Sequence, residues 1–200
     1  MKLAVVSPGA GEPESMDEPD PDSELIARMA DGDRDALGAL FDRHHHALYG
    51  FLARAYGSRD LDVDDLVQTT FLEAFRAAPR YRGASSPRSW LFAIGGNIAK
   101  MHRRATMRRN RALQSFADHP EDLAAAPDVK VSSQRALARI EEALEGMAHD
   151  LRMAYVMCVI EGVAGDDAAR ALGISRGTLW RRTWHARQIL RNAVDAEDVP

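Results

Sequence analysis

Apolar residues recur at three- and four-residue steps along nearly the whole chain, and no run of alternating β-branched residues suggests a sheet. A short helix containing Leu25, Ile26 and Met29 is predicted from a Ser23 cap to the "DGD" at 31–33. A second starts near Asp33 and carries Leu37, Leu40, Phe41, His44, Leu48, Phe51 and Leu52 on one face until Gly57. Asp62 or Asp64 starts a third, its first-turn carboxylates complementing the helix dipole, and Pro79 ends it. Ser86 and Pro87 form a cap and first-position pair, after which Trp90, Leu91, Ile94, Ile98, Met101 and Ala105 mark an apolar face.

From Ala112 to Lys130 the pattern lapses into "ADHPEDLAAAPDVK", rich in prolines and acids, which reads as a linker. Beyond it, Ser132 or Ser133 starts a helix with Leu137, Ile140, Leu144 and Met147 on one side. A second is predicted from His149 to Glu161, a short third in "DDAARAL", and a fourth from Ser175 to about Ala196. The predicted fold is all-α: two small helical domains, 23–111 and 132–195, joined by a flexible linker at 112–131.

Charge divides the chain further. Its 200 residues, 46% hydrophobic and 28% charged, suit one compact domain or two small ones, and a net charge of −4 says little because it is unevenly spread. Glu12 to Glu24 holds seven carboxylates and no Lys or Arg, so residues 1–22 read as a disordered acidic tail. Arg76 to Arg111 holds ten Lys or Arg and no acid, and Ala168 to Val194 holds six Arg and no acid. Two basic tracts in a mildly acidic protein point to a nucleic-acid binder. Cys158 stands alone in "YVMCVIEG", which excludes an intramolecular disulfide and a thiolate metal cluster. No stretch is long and apolar enough for a signal peptide or a membrane helix, so the expected location is cytoplasmic, with no membrane insertion.

The second basic tract has a specific local chemistry. In "AARALGISRGTLWRR" Gly173 can take the left-handed conformation after a short helix, Ile174 packs inward and Ser175 caps the next helix, which is the chemistry of a helix-turn-helix. Leu179, Thr183, Ala186, Leu190 and Ala193 face the core, leaving Arg176, Arg181, Arg182, His185 and Gln188 on other faces. Arginines near the helix start can bond guanine edges, and those farther along can pair with phosphates. Trp180 and Trp184 sit at the boundary, and Trp184 is expected to pack.

Four patches, in order, resemble the extracytoplasmic-function type of bacterial sigma factor, the promoter-recognition subunit of RNA polymerase: "ELIARMADGDRDALGALFDRH", "DDLVQTTFLEAF", "YRG…PRSWLFAIGGNIAK" and "ALGISRGTLWRRTWHAR". The resemblance implies that the first domain (region 2) binds core RNA polymerase and opens promoter DNA at the −10 element, that the second (region 4) reads the −35 element, and that an anti-sigma factor is a further partner. It assigns Asp65, Leu66, Gln68, Phe71 and Leu72 to the polymerase-binding helix, with core packing the stronger reading of Leu66 and Phe71 and an interface role that of Leu72. It assigns Tyr81, Arg82, Arg88, Trp90, Asn97, Lys100, Arg103 and Arg104 to −10 DNA. A positive groove with aromatic platforms suits unstacked single strands, although Trp90 is also a core candidate. Arg176, Thr178, Trp180, Arg181, Arg182 and His185 are assigned to the −35 element.

The chain departs from the family pattern at Thr69, at Trp180 and at "GGN" (95–97), where Ala-Arg-Asn is usual. Each glycine inside a helix costs about 1 kcal/mol relative to alanine. The pair either admits another helix or DNA closely or loosens the domain. It also motivates an alternative, a sigma-like decoy that occupies a regulator or the polymerase without opening promoters, beside a polymerase-independent helix-turn-helix regulator. No nucleophile–base pair, phosphate loop or metal-ligand spacing suggests an enzyme or a cofactor. His44, His45 and His46 point about 100° apart on a regular helix and cannot converge on one ion; His44 faces the core and the others are expected to be solvated.

Overall fold

The computed structural model describes residues 20–57, 62–114 and 132–195, so most of the expected acidic tail and linker lies outside the described residues. Among the described residues the regular structure is helical: α1 (Pro21–Ala30), α2 (Arg34–Tyr56), α3 (Val63–Ala77), α4 (Pro87–Gln114), α5 (Ser132–Gly146), α6 (His149–Tyr155), α7 (Gly165–Ala171) and α8 (Arg176–Asp195). A short 3₁₀ turn, Ala78–Arg80, follows α3.

Local chemistry sets the boundaries. The Asp33 and Asp62 carboxylates accept from the first backbone N–H groups of α2 and α3, satisfying donors that a helix start leaves without partners. The first helix starts earlier than the sequence suggested: Asp20 rather than Ser23 caps α1, and Pro21 occupies a first-turn position where its missing N–H costs nothing. Helix α6 does not run unbroken to Glu161; it passes at Val156 into a π turn, Val156–Ile160.

Helices α1 to α4 enclose Ile26, Met29, Leu40, Leu48, Phe51, Leu52, Leu66, Phe71, Leu91 and Phe92. This core does not stop at the first domain. Met153, Ala154, Val156, Met157, Ala168, Ala169 and Leu179 continue it, while Met147, Ala186 and Leu190 form a smaller cluster between α5, α6 and α8. The two domains are therefore packed against each other, α4 on α6 and α7, and α2 on α5 and the π turn. Met101 and Leu137, assigned to apolar faces, are exposed, and so is Trp184, which was expected to pack.

Candidate nucleic-acid and polymerase interfaces

The helix-turn-helix is built as its turn chemistry requires. Gly173 has φ +64°, the left-handed region that favours glycine, and its N–H donates to Arg170 O at 3.1 Å while Ile174 N–H donates to Ala169 O at 2.9 Å. Ser175 Oγ then accepts from Thr178 N–H at 3.2 Å and lies 3.0 Å from Thr178 Oγ1, capping α8. Leu179 and Ala186 anchor the helix in the core.

Arg176, Arg181, His185 and Trp180 consequently stand on the exposed side, Trp180 at 68% exposure. Trp184 joins them at 47%, tilted against the His185 ring at 5.2 Å, because at 100° per residue it lies well round the helix from buried Leu179, Ala186 and Leu190. Two of the basic groups are engaged within the chain: Arg176 Nε pairs with Asp166 at 2.9 Å and Arg182 Nη2 with Asp150 at 2.9 Å. Thr178 is half-buried by its part in the cap.

In the first domain the segment before α4 is ordered by its own aromatic residues. The Tyr81 hydroxyl donates to Ser85 O at 2.6 Å, its ring tilts against Trp90 at 4.9 Å, and burial pushes the phenol pKa up. Both rings are only partly buried, so each supports the core and presents an edge outside it. Arg82 and Asn97 are exposed. Arg88, Lys100 and Arg103 face the second domain: Arg88 pairs with Glu161 at 2.9 Å, Lys100 with Asp150 at 3.4 Å, and Arg103 donates to Glu145 O at 2.6 Å. Arg104 is exposed beside them.

Helix α3 divides its residues cleanly. Leu66 and Phe71 are core, whereas Asp65 and Gln68 are exposed and Leu72 is 54% exposed. Leu72, Gln68 and the edge of Phe71 border a shallow groove whose other wall is Arg34, Leu37 and Phe41 of α2. The histidine run forms no cation site among the described residues. His44 Nε2 lies 2.7 Å from Asp22 Oδ2, and His46 is exposed. His45, expected in solvent, is half-buried and stacks on Phe41 at 4.8 Å.

The glycine pair is explained by approach from two sides. A Cβ at Gly95 would lie 3.1 Å from Leu48 Cδ1 and 3.2 Å from Thr70 Oγ1, and one at Gly96 would lie 2.3 Å from Met153 Cε. The pair thus admits α2 and α3 on one side and α6 on the other. Sequence reasoning flagged the glycines but missed the groups around them. Tyr56 donates to Gly96 O at 3.1 Å and lies 2.8 Å from His149 Nδ1, and buried Arg152 donates to Ala55 O, Glu145 O and Met147 O. Glu161 and Asp167 also reach across the two domains, and no local pattern signals pairs so far apart in the chain.

A four-helix domain with a basic aromatic edge, joined to a helix-turn-helix domain, defines a two-domain promoter-recognition protein. The family models agree: residues 40–109 match Sigma-70 region 2 and residues 137–190 match Sigma-70, region 4. The chain is 33% identical to RNA polymerase sigma factor NccH of Alcaligenes xylosoxydans xylosoxydans over 92% of its length and all of that protein's. It is 34% identical to sigma factor CnrH of Cupriavidus metallidurans, covering 91% of this chain and 98% of CnrH. Against the ECF RNA polymerase sigma-E factor of Escherichia coli the identity is 30%, over 86% and 94%. The solved structure of CnrH in complex with the cytosolic domain of CnrY superposes with a TM-score of 0.62 at 29% identity, over 90% of this chain and all of that one. RpoE of Bartonella quintana, solved with the anti-sigma factor NepR, shares the fold with a TM-score of 0.53 at 23% identity, over 78% and 94%. The chain belongs to the extracytoplasmic-function sigma factors of the sigma-70 family, and it is a promoter-recognising sigma factor. The decoy reading is not favoured.

Proposed function

We propose a residue-level division of this sigma factor's work. Asp65, Gln68 and Leu72, with the groove between α2 and α3, form the surface that docks core RNA polymerase. An exposed leucine beside an apolar groove, rimmed by polar groups, is the pattern of a protein interface, and this observation carries the assignment. Leu66 and Phe71 support that surface from the core.

The single-stranded −10 DNA lies along the edge made by Tyr81, Arg82, Arg88, Trp90, Asn97, Lys100, Arg103 and Arg104. The cationic groups neutralise phosphates, and Tyr81 and Trp90 offer faces against which unstacked bases pack. The −35 duplex is read by α8, with Arg181 aimed at base edges and Arg176, Thr178, Trp180, Arg182 and His185 around it. Opening follows from trapping bases as they leave the stack, so the sigma factor needs neither catalytic residues nor a cofactor, and bond formation belongs to the polymerase. Such a factor works in the cytoplasm, and no described helix is long and apolar enough to cross a membrane. An anti-sigma factor is a further partner on this reading, supported by the relatives solved in complex with CnrY and NepR.

Runoff transcription with purified core polymerase on a genomic library tests this directly. The wild type yields promoter-specific transcripts, and Leu72→Glu loses core binding in a pull-down while keeping wild-type helicity. Wild-type core affinity of that variant would remove Leu72 from the interface, and a factor that bound polymerase without making specific transcripts would revive the decoy.

A further inference from the structure

Helix α8 buries Leu179, Ala186 and Leu190 and leaves two indoles, those of Trp180 and Trp184, exposed. With about 100° between successive residues, Trp180 lies about 100° and Trp184 about 140° round from Leu179, so the two form a strip one turn apart beside Arg181. Arg181, His185, Arg187 and Arg191 stand exposed around it, and the helix carries no acid before Asp195. Large apolar groups exposed side by side mark a contact surface, and the positive charge about them suits a polyanion. Gly177 lies on the same side, one turn before Arg181. It is not in the left-handed region, and a Cβ there would meet nothing within 4 Å, so no contact within the chain calls for a residue that weakens a helix. A bare first turn lets another molecule come close to the N-terminal end of α8, the end a recognition helix turns toward base edges.

We infer that Trp180 and Trp184 read thymine in the −35 duplex by lying against its C5 methyl group, at two positions of one strand about two base pairs apart. The inference rests on the reading of α8 as the −35 helix and names the base that its apolar strip selects. Thymine alone among the four bases presents an apolar group in the major groove; the other edges offer donors and acceptors. An indole face laid on a polar edge would displace water without replacing its hydrogen bonds, whereas on thymine it covers a methyl that water solvates poorly. The strip therefore selects for thymine and against the other three bases. The spacing follows from two periods. Four residues advance a helix by about 6 Å, and two steps along one DNA strand advance by about 6.8 Å. Arg181, between the two indoles in the chain, supplies the hydrogen-bonded part of the same readout to a guanine edge. An indole has few torsions to fix, so docking it costs little ordering entropy.

The test uses the full chain bound to core polymerase and a duplex probe carrying the −35 element selected from a random library. Each thymine is replaced in turn by deoxyuridine, which removes the methyl and nothing else, and affinity is read by competition at fixed salt. The wild type is expected to lose about fourfold at each of two thymines with that spacing, the weight of one buried methyl group, and little elsewhere. Trp180→Ala should bind the thymine and uracil forms of one position equally, and Trp184→Ala those of the other. Both side chains are exposed, so truncation spares the core, which circular dichroism checks. A selected element without thymines at that spacing, no uracil penalty for the wild type, or a penalty that persists in both variants would overturn the inference. Arg181→Ala separates the two levels. If it weakens probe binding while uracil has no effect, α8 reads the −35 element and only the methyl contact is rejected. If it and both tryptophan variants bind the probe as the wild type does, the reading of α8 itself fails. Tryptophan variants that lose core polymerase in gel filtration, with no uracil effect, would give the strip to the polymerase instead.

Discussion

At the residue scale, neighbouring arginines on one helix have different work open to them. Arg181 is exposed, while Arg182, the next residue, is held at 2.9 Å by Asp150 and its side chain is largely covered. An arginine already paired has less to offer a base edge than an exposed one. Arg181→Ala is therefore expected to alter −35 discrimination, by about 1 to 3 kcal/mol if the lost contact is bidentate to a base. Arg182→Ala should change overall affinity and its salt dependence more than base preference. A promoter-library selection checks both, and identical base preferences for Arg181→Ala and wild type would take Arg181 off the reading face. Trp184 teaches the complementary lesson. Its position at a helical boundary suggested packing, and it is exposed because it lies well round the helix from buried Leu179, Ala186 and Leu190.

At the element scale, the helix starts are decided by single carboxylates. Asp62 Oδ1 accepts from Asp64 N–H at 3.0 Å and Asp65 N–H at 3.2 Å, and α3 carries the proposed polymerase surface. Asp62→Ala should cost about 1 kcal/mol of stability through loss of the cap. A urea titration followed by circular dichroism measures it, and an unchanged midpoint would show that Asp64 and Asp65 suffice to start the helix. Helix α4 shows what a cap cannot do from its own segment. Ser86 Oγ reaches Ser89 N–H only at 3.3 Å, and the strong acceptor at this helix start is Asp167 from the other domain. The glycine pair in α4 belongs to this scale too. Its intrinsic cost of about 1 kcal/mol per residue is set against close packing, with Leu48 and Thr70 beside Gly95 and the end of the Met153 side chain beside Gly96.

At the scale of the whole molecule, the packing of the two domains buries a histidine. Burial lowers the pKa of His149 to about 4, and Lys100, Arg152 and Arg104 add to the shift while Asp150 opposes it; the Tyr56 hydroxyl faces its Nδ1. The folded form therefore favours the neutral ring. Its contribution is fully present above about pH 6.5, the ordinary histidine value, and is lost as pH falls from there toward 4. The carboxyls of Asp150 and Asp167 are held below the usual carboxylate range, so their protonation falls in a separate, lower window. The urea midpoint of the full chain should decline between pH 6.5 and 4.5, and His149→Gln should flatten the decline. An equal decline in the variant would place the titrating group elsewhere.

Much of the molecule was legible along the chain. Periodicity, caps and the left-handed Gly173 specify elements within a few residues, because those signals are local and a helix is a local structure. The division of α3 into buried Leu66 and Phe71 and exposed Leu72 follows from the same 3.6-residue period. What the chain order could not express are partnerships between distant residues: Asp167 with Ser86, Glu161 with Arg54 and Arg88, Met153 with Gly96. A carboxylate in "GDDAARAL" carries no mark of the helix start it will cap, since a pair 81 residues apart leaves no periodic trace. Local sequence chemistry accounts for the helices and the class of protein; only tertiary packing decides which cations of the proposed DNA-binding edges are open and which are covered, because burial and pairing belong to the surfaces that meet.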